Sequence, residues 1–153
     1  MTSIARSVAF SSIALLLLGV PTSSLHAAEW DQKKVTKIAE QVADAANQVY
    51  RSVVRTATGA NIGSGQARNY LQLKDTVRMA RNESRHLATA LQEGKGGAET
   101  FHAWQRLMSL VRDARDLARR MFIEAPTQEK MAHAGKLLRE LAPYFESFKK
   151  NSK

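Results

Sequence analysis

Apolar side chains recur every three or four residues in four separate segments of this 153-residue chain. This spacing places them on one face of an α-helix, and such a face must be buried against other helices. No run of any length alternates apolar and polar residues, so the pattern does not favour a sheet. The spacing predicts helices over about residues 31–56, 66–93, 98–123 and 127–149, with Asp31 as the N-cap of the first.

Glycine and proline mark the breaks between these segments. The stretch from 58 to 65 holds three glycines, each costing about 1 kcal/mol in a helix, and is predicted to be a loop. Gly94 is placed as the C-terminal cap of the second helix, and Pro126 ends the third. Pro143 lies inside the fourth pattern, so a kink is expected near it. Short connections make consecutive helices antiparallel, which predicts an all-α, up-down-up-down four-helix bundle as a single domain over 29–153.

The first 28 residues have the pattern of a secretory signal peptide. Arg6 supplies a positive charge, residues 8–20 form an apolar run with four consecutive leucines, and the small residues Ala27 and Ala28 follow. We expect cleavage after Ala27 or Ala28, because a bilayer span needs about 20 apolar residues and this run is shorter. The chain has no cysteine, and an exported domain without disulfides fits a bacterial periplasm. We therefore expect an exported protein, periplasmic or secreted, with no transmembrane segment after cleavage.

Small side chains are frequent on the predicted core faces. The alanines at these positions are Ala39, Ala45, Ala46, Ala80, Ala114, Ala118 and Ala134. They allow the helices to approach closely, or they leave space for a ligand. Close packing is the favoured interpretation, because protein interiors are normally filled to crystal-like density.

Histidines offer few metal or haem ligands. Glu83 with His86 and Glu99 with His102 match the Glu-x-x-His spacing of di-iron bundles. However, both imidazoles fall outside the apolar faces, and in an antiparallel hairpin turning near residue 95 Glu83 lies opposite Leu107 rather than Glu99. The sequence therefore predicts no buried metal site and no cofactor, and His86 with His102 remain weak candidates for a surface metal site.

Catalytic motifs are also missing from the sequence. It contains no Gly-x-Ser-x-Gly, no His-Glu-x-x-His and no lysine placed to complete a phosphate-binding loop after the glycine-rich stretch. We therefore expect a protein that is not an enzyme.

Arginines form one row on the second helix and one on the third, each with i, i+3, i+7 spacing. The rows consist of Arg78, Arg81 and Arg85 and of Arg112, Arg115 and Arg119. If the rows converge, they form a groove that binds phosphate or carboxylate, because arginine grips both bidentately. If they flank opposite edges, they are ordinary solvated faces. Both arrangements fit the sequence, and these six residues are the candidate anion- or partner-binding residues.

The charge balance narrows the class of partner. The formal net charge is +9, and it becomes +8 when the segment holding Arg6 is removed. Nucleic acid is scarce outside the cytoplasm, so an acidic component of the envelope or an acidic protein is the expected partner. In length and layout the pattern is similar to exported four-helix proteins of the cytochrome c-prime type, but it lacks their haem-binding signature, and the resemblance implies fold class alone.

These observations predict a non-catalytic binding or structural protein of the cell envelope. A metal- or haem-binding bundle with a transport or redox role is one alternative. A binder of anionic polymer or lipid headgroups through an arginine groove is the other.

Overall fold

Four α-helices make up the computed structural model, which describes residues 28–59 and 64–149. They are α1 (Gln32–Gly59), α2 (Ser64–Gln92), α3 (Gly97–Arg119) and α4 (Ala125–Lys149). The described part of the chain contains no strand. Residues 1–27 of the predicted signal peptide and residues 60–63 of the predicted glycine-rich loop lie outside it.

The helices pack as a closed ring in chain order. α1 packs against α2 and α4, α2 packs against α3, and α3 completes the ring against α4. Helices at opposite corners make no backbone approach among the described residues. The predicted all-α four-helix bundle is confirmed. The contact between α3 and α4 is much the sparsest of the four.

Local chemistry fixes the helix ends that the sequence pointed to. The side chain of Asp31 accepts a hydrogen bond from the backbone N–H of Lys34 at 3.0 Å, which is the expected N-cap contact. At the end of α2, Gly94 adopts a left-handed φ of 84°. Its N–H donates to the carbonyl of Leu91 at 3.1 Å and the N–H of Lys95 donates to that of Ala90 at 3.0 Å, forming a Schellman motif.

The antiparallel register of α2 and α3 also agrees with the sequence argument. Arg106 donates to the carboxylate of Glu83 at 2.9 Å across this interface. Glu83 was predicted to lie opposite Leu107, one residue further on. The Glu-x-x-His pairs are thus held apart by the hairpin geometry.

The connection between α3 and α4 differs from the prediction. α3 ends at Arg119 instead of about residue 123, because Ile123 turns inward and is buried. Pro126 does not act as the break, since it lies in the first turn of α4, where the missing N–H costs nothing. α4 then continues as a helix through Pro143, where a kink was expected.

Aromatic rings pack tightly at one end of the bundle. Phe145 stacks on Trp104 with ring centroids 4.9 Å apart, and Trp30 meets Phe145 and Phe148 edge-on at 5.5 and 5.6 Å. The first residue of α3, Gly97, lies beneath them. A Cβ atom there would lie 2.2 Å from Phe148 and 2.8 Å from Trp30, so a larger residue requires these rings to move.

Replacing Gly97 with alanine should therefore destabilise the protein. Overpacking of this kind costs about 1–3 kcal/mol. Alanine is ordinarily better than glycine in a helix, by up to about 1 kcal/mol, so the expected sign is opposite to that of propensity. Urea unfolding followed by circular dichroism measures the change.

Gly135→Ala is the matched control. Gly135 is also a buried helical glycine, but its new Cβ would meet nothing closer than 3.7 Å. We expect this variant to be as stable as the parent or more so. Equal unfolding midpoints for the two variants would contradict the argument about Gly97.

Candidate functional site

A cavity of about 270 Å³ lies in the middle of the bundle. Side chains from all four helices line it. The apolar ones are Val42, Ala46 and Val49 of α1, Val77 and Ala80 of α2, Leu107, Val111 and Ala114 of α3, and Met131, Ala132, Ala134 and Leu138 of α4. Gly135 completes this wall, and the remaining lining residues are Arg115 and Arg139. The interior is therefore apolar except for two guanidinium groups.

The sparse contact between α3 and α4 explains where the cavity opens. Trp104 and Phe145 hold these helices together at one level, and Ile123 and Thr127 are buried at the other end. Between these levels Arg115 lies opposite Gly135, where no side chain closes the gap. The arginines are exposed, whereas Leu107 and Leu138 deeper in the cavity are buried. The opening is thus on the α3–α4 side.

The hydrophobic core is divided at the same level. One cluster of buried residues is built around Leu87, Leu141 and Phe145, and a second around Val53 and Leu73. The cavity wall takes residues from both clusters. It therefore occupies the junction at which the two clusters fail to fill the bundle.

The expectation that the core alanines serve close packing holds for only part of the set. Ala39 and Ala45 are packed in the first cluster and do not line the cavity. Ala46, Ala80 and Ala114, like Ala134, border empty space. The physical reason is that the side chains lining this level, which include several alanines and Gly135, do not fill the space between the four helices.

Two arginines frame the opening. The Nη1 atom of Arg139 and the Nη2 atom of Arg115 lie 3.7 and 3.8 Å from the point where a Gly135 Cβ would stand. The two nitrogens are therefore at most about 7.5 Å apart. Among the described residues neither guanidinium forms an ion pair or a side-chain hydrogen bond. Two like charges held this close favour an anion between them.

The two predicted arginine rows do not meet. Arg81 and Arg85 line a polar groove between α1 and α2, where Arg81 stacks on the ring of Tyr50 at 4.3 Å. Arg115 instead lies beside α4. Arg81 and Arg85 therefore lie at a different edge of the bundle from Arg115, and these three side chains do not form one groove.

Several of these arginines have local acidic partners. Arg78 lies 3.4 Å from Asp75 and Arg119 lies 3.8 Å from Asp116, each three residues away on its own helix. Exposed pairs of this type contribute little to stability. Of the six candidates, only Arg115 belongs to the cavity.

The histidine candidates lie on the surface. His86 has 62% of its side chain exposed and lies 3.7 Å from Glu83, and His102 is exposed as well. Within residues 28–59 and 64–149, no group of three or more His, Asp or Glu side chains is arranged to hold a metal ion. Glu83 is engaged by Arg106, so it is not a free ligand for His86.

Sequence reasoning did not single out Gly135 and Arg139. A glycine inside a strongly periodic helix with an arginine four residues later was the available signal. Gly135 and Arg139 indicate a site only because Arg115 of α3 lies next to them. The rotation of α3 relative to α4, which brings Arg115 there, cannot be predicted from either segment alone.

No known protein family matches the chain, and comparison with curated proteins and with solved structures gives no significant match. None of the helices in the described residues has the length and apolar character needed to cross a bilayer. The geometry of the cavity is therefore the basis for assigning a role.

Filling the cavity should stabilise the protein. We expect Ala114→Leu to raise the free energy of unfolding by about 0.5–2 kcal/mol, because its side chain enters empty apolar space. Ala103→Leu is the matched control, since Ala103 is on the same helix and equally buried but lies in the packed first cluster. That change should cost about 1–3 kcal/mol through overpacking. Denaturant unfolding measures both, and destabilisation by Ala114→Leu equal to that by Ala103→Leu would show that the space is not available.

Proposed function

We propose that this protein is an exported, non-catalytic binding protein of the cell envelope that holds a small molecule with an apolar body in the central cavity. The single observation that carries this proposal is the cavity of about 270 Å³, walled by apolar side chains of all four helices. Small-molecule sites are typically concave and mostly apolar, with a few placed polar groups. This cavity has that composition.

The size of the cavity favours a ligand-binding site over a packing defect as its explanation. Native interiors rarely contain voids much larger than a water molecule, and an engineered apolar cavity of about 150 Å³ already binds benzene. The cavity described here is larger, and it opens between α3 and α4. A ligand thus has both space and a route of entry.

The exported location is supported by the sequence alone. In the first 28 residues a positive charge is followed by an apolar run and then by small residues, which is the order found in signal peptides. Residues next to the expected cleavage site belong to the bundle. The N–H of Ala28 donates to the carbonyl of Pro143 at 3.2 Å, and Trp30 packs on Phe145.

Binding is tested with 1-aminoanthracene, a flat, neutral fluorophore that brightens in apolar surroundings, displaced by decan-1-ol. We expect saturable binding at one site, with a dissociation constant for the alcohol on the order of 10 μM. Ala114→Leu should weaken it, because the added side chain takes up part of the site. Fluorescence titration of the purified mature protein measures both.

Phe122→Ser is the matched control for adventitious surface binding. Phe122 is 80% exposed and lies in the α3–α4 connection outside the cavity wall. Binding that is unchanged in Phe122→Ser and weakened in Ala114→Leu supports the proposal. Binding lost in Phe122→Ser, or no saturable binding at all, would overturn it.

Export makes a separate prediction. The full chain expressed in a bacterium should be recovered from the periplasmic fraction, with an N-terminus at Ala28 or Glu29, so that Trp30 is retained. Intact mass spectrometry after osmotic shock measures the cleavage site. Recovery of the uncleaved chain from the cytoplasm would contradict the exported assignment.

A further inference from the structure

We infer that the ligand of this cavity is a single-chain amphiphile: one linear aliphatic chain that ends in an oxyanion held between Arg115 and Arg139. This inference rests on the proposed function and specifies its ligand class. It joins two independent features of the site, the apolar interior and the paired cations at its opening.

The paired cations argue for the anionic end. Their nearest nitrogens lie at most about 7.5 Å apart, and neither guanidinium forms an ion pair within the described residues. A carboxylate or phosphate between them would accept hydrogen bonds from both sides, and guanidinium is the group best shaped for that contact. Gly135 leaves this space open, because a Cβ atom there would be in van der Waals contact with both nitrogens.

The apolar interior argues for the aliphatic end and its length. The residues below the arginines include Val42, Ala80 and Leu138, and no other charged group of the described residues lines the cavity. A methylene group occupies roughly the 30 Å³ of a water molecule, so a cavity of about 270 Å³ takes a chain of about eight to ten carbons. A chain anchored at the opening therefore reaches across the junction of the two core clusters.

The position of the two arginines at the opening of an apolar cavity also argues against a neutral ligand. A neutral chain would fill the interior but leave the two guanidiniums facing each other across the opening. An oxyanion removes that repulsion and stays in contact with water on its outer side, so it is not buried without a partner.

The test compares three ligands of equal chain length by displacement of 1-aminoanthracene at low ionic strength: decanoate, decyl phosphate and decan-1-ol. We expect at least one of the two anions to bind tenfold or more tightly than the alcohol. Arg115→Gln with Arg139→Gln should reduce that ratio to about one. The tighter of the two anions identifies the headgroup.

Arg112→Gln with Arg119→Gln is the matched control, because it also removes two positive charges from exposed side chains, here on α3 and outside the cavity lining. The anion preference should survive in it. Equal loss in both double variants would overturn the inference, since net charge would then account for the preference. Equal affinity of all three ligands for the parent would overturn the inference and leave the proposed function standing, whereas no displacement by any of them would overturn both.

Discussion

The stacked contact of Trp104 on Phe145 is the interaction on which the shape of the bundle depends. The two hairpins and the α1–α4 contact bring the other helix pairs close along their length, but α3 and α4 approach only sparsely. At the level of this aromatic pair, two rings 4.9 Å apart stand between the helix backbones. The two rings set the distance between α3 and α4. At the level of Ala134 and Gly135 the side chains are too small to fill the space that this distance leaves between the helices. The cavity is thus a consequence of where large side chains are placed along one seam.

Much of the fold follows from local chemistry that is legible in the sequence. The apolar periodicity is enough to place four helices, and short connections are enough to make them antiparallel. Asp31 and Gly94 end helices by contacts within a few residues of themselves, which is why their roles were predictable. The end of α3 was not predictable, because Ile123 lies outside the helix and is buried against other helices. The free energy gained by this burial depends on tertiary structure. Pro126 was read as a stop signal, although proline fits equally well in the first turn of a helix.

The site was less predictable than the fold for a related reason. An alanine on a core face has the same sequence signature whether it packs tightly, as Ala103 does, or borders a void, as Ala114 does. The difference lies in the size of the residue across the bundle, which requires the rotation and spacing of all four helices. Likewise, the regular spacing of the arginine rows drew attention to six residues, yet the second guanidinium at the cavity comes from Arg139, outside both rows. Arg115 and Arg139 lie on different helices, so their pairing produces no periodic pattern in the sequence.

The energetics of the empty site favour an occupant. Apolar side chains that border unfilled space lose packing contacts, and the loss grows with the volume left empty. Because this cavity of about 270 Å³ opens between α3 and α4, contact of water with its apolar wall adds to that cost. A ligand at 100 times its dissociation constant returns about 2.7 kcal/mol by mass action alone. Because the same ligand would also separate two guanidiniums that have no acidic partner among the described residues, occupancy relieves both unfavourable features of the α3–α4 seam at once.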